Sequence, residues 1–300
     1  FKTSDQVQSQ PVKTPPAEAS PQPQSDSTQE TTPEGVDRSA YRTICTEEDF
    51  TTLLESVRRV GRISFDLETT SIKSTEADIV GVAICVPGEA AAYIPVAHRY
   101  LGVPTQLPRE QVLEALKPIL ENPEIGKVGQ NLKYDMNVLS RVNITLEGVV
   151  EDSMLAAYVL DATRSSYSLD ALSRELLGHE TISYKSLTGT GKKQIGFEEV
   201  AVEDAARYAS EDADVALKIC DLLSADVGRS EMETLYRELE LPLVPVLAKM
   251  EQTGVCVDRQ YLGQLSTEFA KRSTVLETEI FELAGESFNL NSTKQLAPIL

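Results

Sequence analysis

The sequence is short of histidine, cysteine and long apolar runs, and each shortage excludes a class of protein or site. Its two histidines, His98 and His179, stand at positions that suggest no Ser-His-Asp or Cys-His catalytic arrangement. The four cysteines form no CxxC pair, which argues against a zinc site and for a reducing cytosol. No apolar run approaches the roughly 18 residues that span a bilayer, so we expect a cytoplasmic protein with no membrane partner.

Basic residues are also scarce. Lysine and arginine number 28 against 47 acidic residues, which gives a formal net charge of −19. Such a charge argues against a nucleic-acid partner, because phosphate binding usually needs a basic surface. The objection is met if some carboxylates form a cation site, since divalent metals rather than lysines would then meet the phosphate at the reacting centre.

The composition divides the chain into a linker and a folded part. Residues 1–40 are rich in proline, glutamine, serine and threonine, with almost no large apolar side chains, so we predict a disordered linker there. From Tyr41 onward, apolar residues recur at strand and helix spacing. Because the sequence begins with Phe1 rather than methionine and stops inside a segment that reads as a helix, we expect a fragment of a longer protein.

The folded part reads first as strands and then as helices. Strands are predicted at 63–67, 79–86, 90–96 and 127–129, and helices near 109–121, 132–141, 152–161, 168–177 and 202–223. This order predicts a mixed α/β sheet packed by helices. From about residue 232 two long helices are expected, separated by a turn at Thr253 and Gly254.

Carboxylates in two of the predicted elements are candidate metal ligands. Asp66 and Glu68 are two residues apart on a strand, so they share one face and can hold a cation together. Alone, this spacing is more often a strand end with solvated acids. Further on, a turn at Gly129 leads into a helix that Asn131 is expected to cap, with Asp135 one turn in. An exposed Asp on a capped helix is the plainer interpretation of that motif.

A third motif lies on the helix that begins near residue 202. Tyr208 and Asp212 are four residues apart and share a helical face, whereas Glu211 and Asp214 point elsewhere and are expected to be solvated acids. A tyrosine and an aspartate at this spacing more often have only structural roles. Together, however, the three motifs can converge as oxygen donors for two Mg²⁺ or Mn²⁺ ions, an arrangement used for phosphodiester cleavage.

Segments 65–71, 128–135 and 207–214 resemble the three exonuclease motifs of the DEDD superfamily, in the form carried by the DNA polymerase I family (family A DNA polymerases). The resemblance covers about residues 41–226 and implies a ribonuclease H-like (DnaQ-like) 3′–5′ exonuclease domain. Segments 241–247, 254–258 and 288–295 resemble the start of a family A polymerase domain. Residues 227–300 are therefore expected to form the α-helical start of the polymerase thumb region, cut off before its own active site.

The resemblance implies a proofreading enzyme that removes mismatched 3′-terminal nucleotides as 5′-monophosphates during DNA replication and repair. By position, Asp66 would bridge two divalent metal ions, Glu68 and Asp212 would complete the site that activates water, and Asp135 would hold the second ion. Tyr208 would orient the attacking water, which is typical of the DEDDy subgroup.

The resemblance also implies the partner, DNA with a single-stranded 3′ end or a primer–template, and a monomer associated with the bacterial nucleoid. Ile72 and Tyr184 would wedge or stack on bases of the frayed end, and Arg207 would neutralise the incoming backbone. The positions expected to contact the DNA are Ile72, Gln130, Asn131, Tyr134, Tyr184 and Arg207.

Two other functions remain open at this point. A non-catalytic DNA-binding scaffold would keep the fold, although relatives of that kind have lost the carboxylates and all five expected residues are present here. A ribonuclease D-like RNA exonuclease shares the three motifs, but the polymerase-like segments after residue 241 favour the DNA enzyme.

Overall fold

A six-stranded mixed sheet forms the centre of the fold in a computed structural model that describes residues 35–300. The strands are β1 (Arg42–Thr43), β2 (Arg62–Thr69), β3 (Ile79–Cys85), β4 (Ala92–Pro95), β5 (Gly126–Gly129) and β6 (Val149–Asp152). They lie in the order β1-β4-β3-β2-β5-β6. β2 pairs antiparallel with β3 and parallel with β5, so it runs through the middle of the sheet. Most of the predicted linker, residues 1–34, lies outside the described residues.

Helices pack on both faces of this sheet. In the described part of the chain the α-helices are α1 (Glu47–Val60), α2 (Arg109–Leu120), α3 (Leu132–Ser140), α4 (Ser153–Leu160), α5 (Leu169–Leu172), α6 (Tyr184–Thr188), α7 (Val202–Arg229), α8 (Glu233–Leu235), α9 (Leu241–Thr253), α10 (Arg259–Ala284) and α11 (Thr293–Leu296). π-helical turns at Ser173–Leu177 and Tyr236–Glu240 continue α5 and join α8 to α9. None of the described helices is both long and apolar enough to cross a membrane.

The structure confirms the predicted mixed α/β sheet, with three antiparallel strands followed by parallel ones in the ribonuclease H-like manner. The predicted strands match β2 to β5, and the predicted helices match α2, α3, α4, α5 with its π-helical turn, and α7. The sequence did not reveal β1 and β6. Both are short and lie at the sheet edges, so they leave little periodic pattern to detect.

Side chains of β2 alternate between the two layers. Phe65 and Leu67 enter the core cluster that α1, α2 and α3 cover, whereas Asp66 and Glu68 point to the other face. There β2 meets α7, whose contact face consists mostly of alanines. Because these side chains are small, a long helix can approach the central strand closely and bring its polar groups to the strand's acids.

The segment after residue 230 packs against the sheet-containing domain and contributes side chains to its interior. Tyr236 is fully buried, and its hydroxyl accepts from the amide of Asp152 (2.9 Å) and donates to the Asp152 carbonyl (3.3 Å). From α9, Val244 and Ala248 join the core cluster that contains Phe65. In contrast, α10 and α11 bury no side chain among the described residues.

Replacing Tyr236 by phenylalanine is expected to lower the free energy of unfolding by about 1–3 kcal/mol, because the buried Asp152 amide loses its acceptor while the ring packing is kept. Urea denaturation followed by circular dichroism measures the change. As a control, Tyr158→Phe removes a hydroxyl from a side chain that is 47% exposed and should change the stability by less than about 0.5 kcal/mol. Equal effects of the two variants would contradict a role for the buried hydroxyl.

Candidate active site

Three carboxylates meet where the end of β2 faces α7. Asp66 and Glu68 project from the strand, and Asp212 reaches them from the helix, with one ligand oxygen of each lying within 4.8 Å of the others. On β3 the residues opposite the two acids are small, Ala83 beside Asp66 and Gly81 beside Glu68. The ring of the buried Tyr93 fills the space beside Gly81, since a Cβ at that position would collide with the Tyr93 hydroxyl.

The fourth predicted ligand, Asp135, enters from α3 on the other side of β2. Its Oδ1 accepts from the backbone amide of Leu67 at 3.1 Å, between the two acids of the strand. Gly129 lets the start of α3 pack closely against β2, because a Cβ there would lie 2.8 Å from the carbonyl oxygen of Phe65 and 2.7 Å from the Leu132 side chain. The structure thus places Asp135 beside the other three, although it lies outside the 4.8 Å cluster.

The cap of α3 differs from the prediction. Asn131 occupies the cap position in a left-handed conformation (φ 57°), but its side chain makes no capping bond. The cap comes instead from Asp152, whose carboxylate accepts from the amides of Asn131 (3.2 Å) and Leu132 (2.8 Å) as well as from two amides at the start of α4. The predicted Asn131 cap was therefore wrong, because a residue on a neighbouring strand supplies the acceptor.

Burial raises the pKa of each of the four acids, and repulsion from neighbouring charges raises it further for Glu68, Asp135 and Asp212. Burial raises the pKa of Asp66 to about 6. For Glu68, burial and then the charges of Asp66 and Asp212 raise the pKa well above its ordinary value. The pKa of Asp135 and that of Asp212 are raised by burial first and by the Asp66 charge second. The cluster therefore resists carrying its full negative charge without a cation.

The donor set fits a divalent cation. Oε1 of Glu68 is buried and has no hydrogen-bond partner, and within residues 35–300 none of the four acids pairs with a lysine or arginine. A buried, unpaired carboxylate oxygen is costly unless a cation satisfies it. Carboxylate oxygens are the ligands that Mg²⁺ and Mn²⁺ prefer in proteins.

An aromatic cluster borders the acids. Tyr208 lies one helical turn before Asp212 on α7, and burial followed by the Asp212 charge raises the pKa of its hydroxyl far above the ordinary value. The Tyr184 ring lies nearly parallel to Phe197 (centroids 6.1 Å apart, 14°) and edge-on to Tyr208 (6.2 Å). Because Tyr184 is 37% exposed, it offers part of an aromatic face to solvent next to the site.

Of the other side chains predicted to contact DNA, some are exposed to solvent and others are hydrogen-bonded within the protein. Ile72 is 94% exposed after β2, and Arg207 is exposed on α7. The hydroxyl of Tyr134 bonds to the carbonyl of Ser71 (2.5 Å) and thereby holds the turn that carries Ile72. Gln130 is occupied within the protein, since its amide nitrogen donates to the carbonyl of Tyr167 (2.8 Å).

Two acids on α7 are not solvated, contrary to the prediction. Glu211 is fully buried and bonded to Arg38 and His179, and Asp214 is 6% exposed and accepts from the Tyr41 hydroxyl (2.9 Å). No spacing pattern points to Arg38, His179 or Tyr41, because each lies far from its acid along the chain. Lys218, four residues after Asp214, is in contrast a local ion-pair partner. His98 is buried and bonds to Tyr93 and to the Val200 carbonyl, so both histidines have structural contacts.

Comparisons with known proteins agree with this geometry. A family model described as 3′–5′ exonuclease matches residues 41–227. DNA polymerase I of Pseudomonas aeruginosa is 43% identical over 263 residues, which are 87% of this chain and 29% of that protein. DNA polymerase I of Rhizobium leguminosarum is 40% identical over 284 residues, covering 88% of this chain and 28% of that protein. The chain thus spans under a third of these curated relatives.

Among solved structures, the chain is similar to the polymerase domain of Pol1 from M. smegmatis in complex with DNA primer-template and dNTP. The TM-score is 0.69 and the sequence identity 26%, and the match covers 86% of this chain and 40% of that one.

The acid cluster should destabilise the metal-free protein at neutral pH. A carboxyl whose pKa is higher in the folded than in the unfolded state contributes stability below its unfolded pKa that is lost as the pH rises through its folded pKa. For Asp66 this window runs from about 4 to about 6. In EDTA at about pH 7.5, Asp66→Asn is therefore expected to raise the free energy of unfolding by about 1–3 kcal/mol.

Thermal unfolding with EDTA and with Mn²⁺ measures this effect. Mn²⁺ should stabilise the wild type and leave Asp66→Asn almost unchanged, because the variant loses a ligand. The control Glu231→Gln removes one exposed acid that has no hydrogen-bond or ion-pair partner within residues 35–300, and it should keep the full Mn²⁺ response. A destabilised Asp66→Asn in EDTA would contradict the strain that we assign to the cluster.

Proposed function

The chain belongs to the family of 3′–5′ exonuclease domains found in family A DNA polymerases, and on this premise we propose that it hydrolyses DNA from the 3′ end by a two-metal mechanism. The observation that carries the proposal is the meeting of Asp66, Glu68 and Asp212 within 4.8 Å, with Asp135 bonded to the strand between the first two. These four acids and Tyr208 are the proposed catalytic residues.

We propose two divalent ions, Mg²⁺ or Mn²⁺, as the cofactors. Asp66 would be shared between the ions, Glu68 and Asp212 would complete one coordination site, and Asp135 would serve the other. When bound, such ions activate water and stabilise negative charge on a phosphoryl group. The uncompensated oxygen of Glu68 and the raised pKa values of the cluster support this assignment, because both are relieved by added positive charge.

Tyr208 acts in this proposal as a hydrogen-bonding group rather than a base. Since burial and the neighbouring Asp212 raise the pKa of the Tyr208 hydroxyl, the proton stays on its oxygen at neutral pH. A protonated phenol held one helical turn from Asp212 can orient a water molecule toward the scissile phosphodiester. Positioning of this kind raises the rate without a histidine base.

The substrate that we propose is a single-stranded or frayed 3′ end. Tyr184 exposes part of its ring beside the acids, and Ile72 projects almost fully into solvent. Such side chains bind bases by stacking and wedging, which is tolerant of sequence. A mismatched terminus would be preferred, because unpairing its last nucleotides costs less than unpairing a matched end.

The wider protein is proposed by analogy with the relatives. We propose a DNA-directed DNA polymerase that acts in replication and repair, works as a monomer and is located in the bacterial cytoplasm with the nucleoid. Polymerisation is assigned to the longer protein, because the chain spans under a third of the curated relatives that it matches. The predicted boundaries of the exonuclease domain, after residue 40 and after residue 226, are part of this proposal.

The central test is release of mononucleotides from single-stranded DNA with a labelled 3′ end. The protein is expected to release the 5′-monophosphate in Mg²⁺ and to stop in EDTA, and Asp66→Ala should reduce the rate at least about 100-fold, because the shared ligand is lost. A mismatched primer–template should be degraded faster than a matched one. The Glu231→Gln variant serves as a folded control with wild-type activity.

Two results would redirect the proposal. No metal-dependent release by the wild type would favour the non-catalytic scaffold. Preferential degradation of RNA of the same sequence would favour the ribonuclease D-like activity.

Activity should fall in mild acid. Because protons compete with cations for acids whose pKa values are raised, the rate at limiting Mn²⁺ is expected to drop as the pH falls from about 7.5 to about 5.5. Raising Mn²⁺ at low pH should restore much of the rate, whereas acid unfolding would not respond to metal. A flat profile down to about pH 5 would contradict this competition.

A further inference from the structure

One buried carboxylate outside the cluster of four acids lies behind the site and faces away from it. Glu211 directly precedes Asp212 on α7 and is fully buried. Its Oε1 accepts from Nε of Arg38 (2.5 Å) and bonds to Nε2 of His179 (2.6 Å), and its Oε2 accepts from the amide of Ile182 (2.7 Å). One buried acid thus joins three separate segments of the chain.

Arg38 also contacts groups other than the Glu211 carboxylate. Its Nη2 also donates to the carbonyl of Glu180 (2.6 Å) and lies 3.3 Å from the His179 ring nitrogen. The side chain is 40% exposed and stands on the 3₁₀ turn Arg38–Ala40, before the part of the chain that the family model matches. The contact therefore links a residue from outside that part to the interior of the domain.

The segment that Arg38 holds is residues 178–183, which adopts no regular secondary structure between the π-helical turn Ser173–Leu177 and α6. Its side-chain ties on the outer surface are exposed, as in the pair of Arg174 with Glu180. Its buried contacts are those of Glu211 with His179 and with the Ile182 amide, and the hydrogen bond that the buried Ser173 hydroxyl donates to the His179 carbonyl (2.9 Å). Such a segment depends on its polar contacts for a defined position, because residues 178–183 belong to no helix or strand and only the amides of Gly178 and His179 bond back to the preceding turn, at the Ser173 carbonyl.

The position of this segment decides the position of Tyr184. α6 begins with Tyr184, two residues after the amide that Glu211 holds. The Tyr184 ring packs on Phe197 and meets Tyr208 edge-on, next to the carboxylates. A shift of the segment would therefore move the aromatic face that borders the site.

We propose that Arg38 is a positioning residue for the substrate end of the site: with the buried Glu211, it fixes residues 178–183 and so holds the Tyr184 ring in place. This inference rests on the proposed function, since it concerns how the site presents Tyr184 to a DNA end. Without Arg38, the buried acid keeps only the His179 ring and one amide, which leaves its charge poorly compensated.

An arginine is suited to this task in a way that lysine is not. The guanidinium offers several donors in one plane, so it reaches the Glu211 carboxylate and the Glu180 carbonyl together. A lysine at this position would supply the charge but only a single nitrogen. Arg38→Lys should therefore restore part of the function that Arg38→Ala loses.

The kinetic test compares Arg38→Ala with Arg58→Ala on single-stranded DNA. Arg58 is exposed on α1 without an ion-pair partner among the described residues, so its removal matches the change in net charge. Arg38→Ala is expected to raise KM about 5- to 20-fold while kcat and the Mn²⁺ half-saturation change less than about twofold, which is the pattern of lost substrate binding. Arg38→Lys should be intermediate, and Arg58→Ala should match the wild type.

A second readout does not depend on activity. Because the chain contains no tryptophan, Tyr184→Trp places a single fluorescent reporter at the site. In that background Arg38→Ala should increase quenching by acrylamide and lower the anisotropy of the reporter, whereas Arg58→Ala should change neither. Circular dichroism checks that each variant is folded.

The outcomes separate this inference from the proposed function. Wild-type KM and an unchanged reporter in Arg38→Ala would overturn the inference while the nuclease assignment stands, and so would equal effects of Arg38→Ala and Arg58→Ala. If Arg38→Ala does not fold, Arg38→Lys decides, and a wild-type KM and reporter signal there would overturn the inference. An inactive wild type would refute the proposed function, and the reporter would still show whether Arg38 orders the segment.

Discussion

Repulsion among four acids is the constraint on which the rest of the structure depends. Burial and the charge of Asp66 raise the pKa values of its neighbours, so the fold gathers groups that oppose one another when no cation is present. Rigid elements must hold them together. Two acids stand on the central strand of the sheet, one on a helix tied to that strand, and one on the longest helix of the described residues. The proposed affinity for divalent cations would thus be obtained at the expense of metal-free stability.

Helix α7 serves the site and the scaffold through different faces. Tyr208 and Asp212 are one turn apart and face β2, while Glu211 and Asp214 are turned toward other partners because adjacent helical positions differ by about 100°. Glu211 is compensated by Arg38, and Asp214 by Lys218 and Tyr41. Of the three acids Glu211, Asp212 and Asp214, only Asp212 has no positively charged partner among the described residues. That difference, rather than acidity, distinguishes the candidate ligand.

The parts of the fold that follow from local pattern were predictable from the sequence. Alternation in β2 predicted that Asp66 and Glu68 share a face, and helical spacing predicted the same for Tyr208 and Asp212. The predictions failed where a partner is distant along the chain. Asp152 caps α3 from 20 residues away, and Arg38 meets Glu211 across 173 residues, so neither local propensity nor spacing contains the information. The sequence alone does not distinguish a buried acid from a solvated one, because the partner that compensates the buried acid is placed beside it only by the tertiary structure.

The same distant contacts connect the site to the segments on either side of the family-matched residues 41–227. On one side, Arg38 holds the segment that leads to Tyr184. On the other, the hydroxyl of Tyr236 bonds to the backbone of Asp152, the residue whose carboxylate caps the helix that carries Asp135. Glu251 on α9 also accepts from Lys133 (2.5 Å) on that helix. Because the helix is fixed at its start and along its outer surface by these contacts, the geometry of the acids is set by more of the chain than the three motifs that contain them.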